Sequence, residues 1–219
     1  YYKNSIKLID QRRWKYLMKR KAWYIMPLGW DNIVKSGGNI ADFGCGDGDT
    51  VQRLIDFIEK ESKLRNIQNK KYHIIGLDLN ESRIENAKKY VKTNNPNITF
   101  EFQTTDISGK GLMYEKDYFN FGLITSVIEY IEDSNLDFFL DEICRTVSTG
   151  MYFQGSCDKF PGSIPRENIE ELLNSRGFNV KNKHKILSEP FDKDKLQDPM
   201  KIWPIILNQN VWAEQNKIF

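Results

Sequence analysis

Cysteine and histidine are both scarce in this chain, with three and two copies in 219 residues. Three cysteines cannot all pair. They are widely spaced, and no CxxC or Cys/His ligand spacing occurs, which excludes a disulfide framework and a zinc site of the usual kinds. A reducing, cytoplasmic setting is the simple expectation. An excess of one charge is also missing: 32 basic residues face 30 acidic ones, for a formal net charge of +2. Such a small excess makes no strong field for a polyanion. No apolar run approaches the length of a membrane-spanning helix, so no membrane contact is expected. There is no internal repeat and no low-complexity linker. The chain begins at Tyr1 rather than Met, and no targeting segment is legible along it. The length suits one domain with a sizeable core, and the expectation is a single domain over 1–219.

What is present is an alternation of strand and helix patterns. A helix is predicted over Ile6 to Met26, where Trp14, Leu17, Met18, Ala22 and Ile25 make one apolar stripe. Pro27-Leu28-Gly29 ends it. Asn39 to Phe43 reads as a strand running into glycines, followed by a helix from about Thr50 with Val51, Leu54, Ile55 and Ile58 on one face. The charged stretch Lys60 to Lys71 is expected to be a surface loop. Tyr72 to Leu77 is a near-continuous apolar strand, as expected when both faces are covered. Further elements are a helix over Ser82 to Val91, strands over Ile98 to Gln103 and Phe119 to Ser126, a helix over Leu136 to Val147 and a strand over Gly150 to Gly155. A helix over Pro165 to Ser175 and late strands over Phe178 to Leu187 and Gln209 to Glu214 complete the series. This pattern predicts an α/β fold built of crossover units around a mostly parallel sheet. Residues 1–35 are expected to form an amino-terminal helical cap or lid, and 36–219 the core.

The first strand leads into Asp42-Phe43-Gly44-Cys45-Gly46-Asp47-Gly48. Glycines allow positive φ and close backbone approach. The spacing is GxGxG rather than the GxGxxG of dinucleotide enzymes. A dinucleotide brings a pyrophosphate that favours bare helix amides. Here Asp47 and Asp49 crowd the next helix start with negative charge, which disfavours a phosphate and suits a cationic ligand. Two more acidic residues, Asp78 and Asp106, follow the second and third predicted strands.

Together these residues resemble the class I S-adenosylmethionine-dependent methyltransferases over about residues 39 to 217. The glycine segment looks like the family's first motif, which implies Asp42, Gly44, Cys45 and Gly46 as cofactor contacts. Asp78, with Leu79 beside it, resembles the acidic residue that accepts hydrogen bonds from both ribose hydroxyls. Asp106 resembles the residue that meets the adenine amino group, with Ile107 against the ring. Phe121 to Ile131 is similar to the fourth-strand motif, which implies Ser126 near the cofactor and Glu129 and Tyr130 near its methyl end. The stretch Pro165 to Val180 and the segment Val211 to Lys217 look like the family's last helix and closing antiparallel strand, so the resemblance implies a Rossmann-like doubly wound sheet, mostly parallel with one antiparallel late strand. The implied cofactor is S-adenosylmethionine, with no metal.

Methyl transfer from a sulfonium is an in-line displacement, so much of the rate can come from positioning the nucleophile. A hydroxyl or carbon acid usually needs a general base as well. His73 lies at the start of its strand, on the wrong edge for chemistry, and His184 sits inside a late strand, which disfavours a histidine-based mechanism. Glu129 could hold a cationic amine or take a proton, and Tyr130 could orient a lone pair. The Asn/Asp-Pro-Pro-Tyr pattern of base- and glutamine-amino methyltransferases is missing. In the amino-terminal helix Arg12, Arg13, Lys15, Lys19, Arg20 and Lys21 cluster with Trp14, Tyr16, Trp23 and Tyr24. By analogy with related enzymes Trp23, Tyr24 and Trp30 are candidates for an acceptor-binding lid. The leading expectation is therefore methyl transfer to a small-molecule acceptor. The alternatives are an RNA or protein methyltransferase docking through the basic aromatic helix, which is not favoured, and a non-catalytic methyltransferase-like partner subunit.

Overall fold

The computed structural model describes residues 29–156, 169–187 and 207–215. Elements alternate as α1 (Trp30–Ser36), β1 (Gly38–Phe43), α2 (Asp49–Leu64), β2 (Tyr72–Asp78), α3 (Glu81–Tyr90), β3 (Ile98–Thr104), α4 (Ile107–Lys110) and β4 (Phe119–Thr125). A 3-10 turn (Ile128–Tyr130) leads to α5 (Asp133–Thr146), β5 (Val147–Ser156), α6 (Ile169–Asn174), β6 (Phe178–Leu187) and β7 (Leu207–Gln215). The seven strands form one sheet in the order β3-β2-β1-β4-β5-β7-β6. Strands β1 to β5 pair in parallel, and β7 runs antiparallel to both β5 and β6. The doubly wound sheet with one reversed late strand is the expected class.

Strand position explains strand composition. β1, β2 and β4 lie inside the sheet with helices on both faces, and they read as near-continuous apolar runs. β3 is at the edge and alternates, with Thr99, Glu101 and Thr104 exposed. Side-chain alternation along β1 divides the core in two. Ile40 faces α1, α2 and α3, against Trp30, Leu54, Ile58 and Ile84. Ala41 and Phe43 face α5 and α6, against Phe139, Ile143 and Leu173. On α2 the stripe Val51, Leu54, Ile55 and Ile58 is fully buried. Each such side chain contributes roughly 1.5–3 kcal/mol of burial free energy.

Several boundaries differ from the sequence expectation. α2 runs on to Leu64, so the predicted loop over Lys60 to Lys71 is only its second half. The extra helix is held from both sides. Ser62 is buried 3.4 Å from the Tyr72 hydroxyl, which itself donates to the Val34 carbonyl at 2.7 Å. Arg65 then pairs with Glu61 and Asp31. β5 begins at Val147 rather than Gly150, and α5 at Asp133 rather than Leu136. α1 is an additional element. Gly29 (φ 79°) and Gly37 (φ 68°) bracket it, and its seven residues are too few for a periodic stripe.

α1 also corrects the lid assignment of Trp30. Its ring is 2% exposed, edge-on to Phe57 (5.7 Å) and Tyr152 (6.2 Å), so it packs the core instead of covering a pocket. The core therefore begins by Trp30 rather than at residue 36. The predicted helix over Ile6 to Met26, with Trp23 and Tyr24, lies outside the described residues, as do Pro165 to Asn168. Among the described residues no helix is long and apolar enough to cross a membrane.

Candidate active site

The chain leaves β1 toward β2 and β3 on one side and returns to place β4 and β5 on the other. The crevice at the carboxyl ends of β1 and β4 is therefore the topological switch point, where open α/β sheets bind ligands. Asp42, Asp78 and Asp106 stand at or just beyond the carboxyl ends of β1, β2 and β3.

The glycine loop is a tight turn tied to β2. Gly44, Gly46 and Gly48 have φ of 79°, 55° and 87°. The Gly44 and Cys45 amides both donate to the Leu77 carbonyl, at 2.7 and 2.9 Å. The turn is also packed from outside. A methyl on Gly44 would collide with the Val127 side chain, and one on Gly48 would lie 2.6 Å from Val91 Cγ2. The glycines are thus required by the protein itself as well as by any ligand.

Asp42 is the anomaly of the site. It is 1% exposed, and neither carboxylate oxygen has a hydrogen-bond partner among the described residues. Burial first, then the Asp78 and Asp49 carboxylates, push its pKa up to about 8. A buried carboxyl with no donor is costly and rare in a folded protein. An ammonium-bearing ligand at the switch point would supply the donors it lacks. That orphaned carboxyl, beside a glycine loop and two acidic strand ends, fits a cationic cofactor with a ribose.

The other acidic residues already have tasks. Asp78 Oδ2 accepts from the Gly46 amide at 2.8 Å and Oδ1 from the Asn80 amide at 2.8 Å. It latches the glycine loop to β2, while Asn80 takes the cap of α3 through the Arg83 amide. Asp106 caps α4, accepting from the Gly109 amide at 2.9 Å and the Ser108 hydroxyl at 3.2 Å. An ionised carboxylate has about four acceptor positions, so each retains room for a ligand. Asp47 is not turned onto the α2 start. Its carboxylate meets Arg83 Nε (3.3 Å) and Asn86 Nδ2 (3.0 Å) on α3, leaving Asp49 as the acidic residue of the first turn.

The remaining sequence candidates separate by exposure. Leu79 is 67% exposed, an apolar surface beside Asp78, while Ile107 is 6% exposed in the core below. Cys45 faces inward beside Gly76 and Phe102, and burial pushes its thiol pKa far up, so it is chemically quiet. Ser126 has a left-handed backbone (φ 54°) and its amide donates to the Gln154 carbonyl at 2.7 Å. Of the acceptor-side pair, Glu129 is fully buried and Tyr130 is 40% exposed. His73 sits at the amino end of β2, Nδ1 2.9 Å from the Thr99 hydroxyl, away from the switch point. His184 is paired opposite Asn210 in β6.

Two features were missed from sequence. Arg83 lies against Gly46, where a methyl would strike its guanidinium, and so braces the loop. Nothing in the local pattern marked it. The Thr125 hydroxyl is buried at the end of β4 without a partner among the described residues. A lone hydroxyl closing the apolar run Phe121 to Ile124 was its available signal.

No curated protein sequence matches the chain. Solved structures resemble it in fold. A magnesium protoporphyrin IX methyltransferase from Synechocystis PCC 6803, with S-adenosylmethionine bound, has a TM-score of 0.57 at 12% identity, covering 85% of this chain and 78% of that one. A putative S-adenosylmethionine-dependent methyltransferase from Listeria monocytogenes has a TM-score of 0.56 at 15% identity, covering 86% and 96%. The cyclase SpnF has a TM-score of 0.58 at 15% identity, covering 85% and 80%. A family model described as a methyltransferase domain matches residues 34–202, most of the chain and all of β1 to β5. The chain therefore belongs to the methyltransferase domain family, in the class I, Rossmann-like fold of the S-adenosylmethionine-dependent enzymes.

Proposed function

We propose that this chain transfers a methyl group from S-adenosylmethionine to a small-molecule acceptor. The observation that carries the reading is the orphaned, buried Asp42 carboxyl at the switch point. Fold alone does not decide function, and the fold likeness to a cyclase illustrates it. Family membership and the Asp42 environment support transferase chemistry together.

When bound, S-adenosylmethionine supplies a methyl group already activated by its sulfonium. Asp42 holds the ammonium end, and the Gly44–Gly46 backbone lies under the ligand. Asp78 accepts from the ribose hydroxyls with its remaining lone pairs, and the Gly46–Asp78 bond fixes the carboxylate for that task. Leu79 and Ile107 flank the adenine, and Asp106 accepts from its amino group. Ser126 closes the site toward β4. Tyr130, the exposed member of its pair, orients the acceptor's lone pair, and the fully buried Glu129 next to it in sequence would hold a cationic amine or take a proton. Positioning of this kind can supply a large share of the rate.

A small acceptor is favoured by the nearly balanced charge of the chain, which provides no field to gather a polyanion. The test is an incubation with trideuteromethyl-labelled cofactor and extract of the source cells, separated into small-molecule, RNA and protein fractions. Label in the small-molecule fraction supports the proposal. Label confined to RNA or protein overturns it in favour of docking through the basic aromatic segment 12–24.

A further inference from the structure

We propose that Asp42 couples cofactor binding to proton release: it carries a proton in the cofactor-free protein and surrenders it to solvent when the cationic cofactor settles, so affinity rises with pH. The inference rests on the cofactor reading above and concerns how that site is regulated.

The geometry carries it. Asp42 points to the α1–α3 side of the sheet, the same side as its β1 neighbour Ile40, and is sealed there with no donor for either oxygen among the described residues. Both charged groups that act on it are acidic. Asp78 reaches it from β2 and Asp49 from the first turn of α2. The loop contributes the Cys45 thiol, which burial keeps protonated. Arg53, farther along α2, interacts with Asp49 and Tyr152, and burial lowers rather than raises its own pKa. Arg83, across the loop on α3, faces Asp47. Burial and two carboxylate neighbours thus favour the neutral acid, with half-ionisation near pH 8.

An ammonium set against that acid reverses the preference. The Asp42 O–H bond breaks, the proton leaves to buffer, and the carboxylate that remains accepts from the ligand. By linkage the association constant rises about tenfold per pH unit below the raised pKa and levels off above it. The ligand's own α-amino group titrates near 8, so the informative range lies below about pH 7.5.

The experiment is calorimetric titration of the full chain with S-adenosylhomocysteine and with S-adenosylmethionine between pH 6.0 and 7.5. Each pH is measured in phosphate and in imidazole, whose ionisation heats differ. The expected result is about one proton released per ligand bound, with affinity climbing close to tenfold per unit. Asp42→Asn should bind more weakly, release no proton and show a flat pH profile. The two-buffer comparison on the parent protein needs no variant, so it stands even if the substitution disturbs folding. Ligand binding with equal apparent heats in both buffers and flat affinity overturns the inference while leaving the cofactor reading intact. No binding at any pH overturns both.

Discussion

Replacing Asp78 with alanine tests two roles of one side chain at once. The carboxylate accepts from the Gly46 and Asn80 amides, each at 2.8 Å. Hydrogen bonds to a charged acceptor contribute about 1.5–3 kcal/mol each, and a stranded amide adds a desolvation cost. Against this stands water, which reaches the exposed Asn80 amide and part of the Gly46 amide once the carboxylate is gone. The net loss expected is about 1–3 kcal/mol. At about 2–4 °C per kcal/mol for a domain of this size, Tm should fall by roughly 2–12 °C. Cofactor affinity should fall further, because the ribose loses its charged acceptor. A loss of about 1.5–3 kcal/mol is roughly 10- to 150-fold in Kd. Asp78→Asn keeps one acceptor oxygen, so its Tm should lie between those of the parent and the alanine variant, with affinity still reduced. Thermal melts and calorimetric titration of the three proteins read both quantities. A variant with lowered Tm but unchanged Kd would leave Asp78 as the loop's latch and refute its ribose role. An unchanged Tm would refute the latch.

Three further outcomes are expected from the same geometry. Gly44→Ala places a methyl against Val127 at a backbone of φ 79°, so it should destabilise by roughly 1–3 kcal/mol, and Val127→Ala should recover part of the steric loss; equal urea midpoints for parent and Gly44→Ala would contradict the collision. Tyr130→Phe should lower kcat several-fold with cofactor Kd unchanged, since the role proposed for this half-exposed phenol is to orient the acceptor; parent-like turnover would return Tyr130 to a packing role. Asp42→Asn should alter stability in a pH-dependent way. The folded pKa near 8 exceeds the ordinary aspartate value of 3.8, so the parent loses stability as pH rises from about 4 to about 8, by up to about 1.4 kcal/mol per unit. The variant should therefore gain on the parent across that window and hold its lead above it, as read by denaturant melts at pH 5, 7 and 9; a constant difference would refute the buried acid.

Much of the fold was legible because its central strands have both faces covered. β1, β2 and β4 announced themselves as apolar runs, and the α2 stripe gave a clean helical period. What the pattern missed was short or non-local. α1 has seven residues, and α4 has four. The run-on of α2 depends on Ser62 meeting Tyr72, ten residues away. Trp30 is expected from sequence in an acceptor-binding lid, yet Phe57 and Tyr152 close over it from α2 and β5.

The site divides the same way. Acidic residues at three strand ends are visible in sequence, since alternation marks the strands and where each one ends. The state of those residues is not. Whether a carboxylate is latched, like Asp78, or orphaned, like Asp42, depends on which amides fold back toward it. The turn of Asp47 toward Arg83 and Asn86 likewise depends on how α3 packs beside the loop.

Every ligand-binding role proposed for these carboxylates requires the switch-point crevice to be a site for S-adenosylmethionine. The decisive measurement is calorimetric titration of the purified chain at pH 7.5 with S-adenosylmethionine, and separately with NAD. Saturable binding of one S-adenosylmethionine per chain is expected, with no heat from NAD. Binding of NAD, or no binding of S-adenosylmethionine by folded protein, would contradict that assignment.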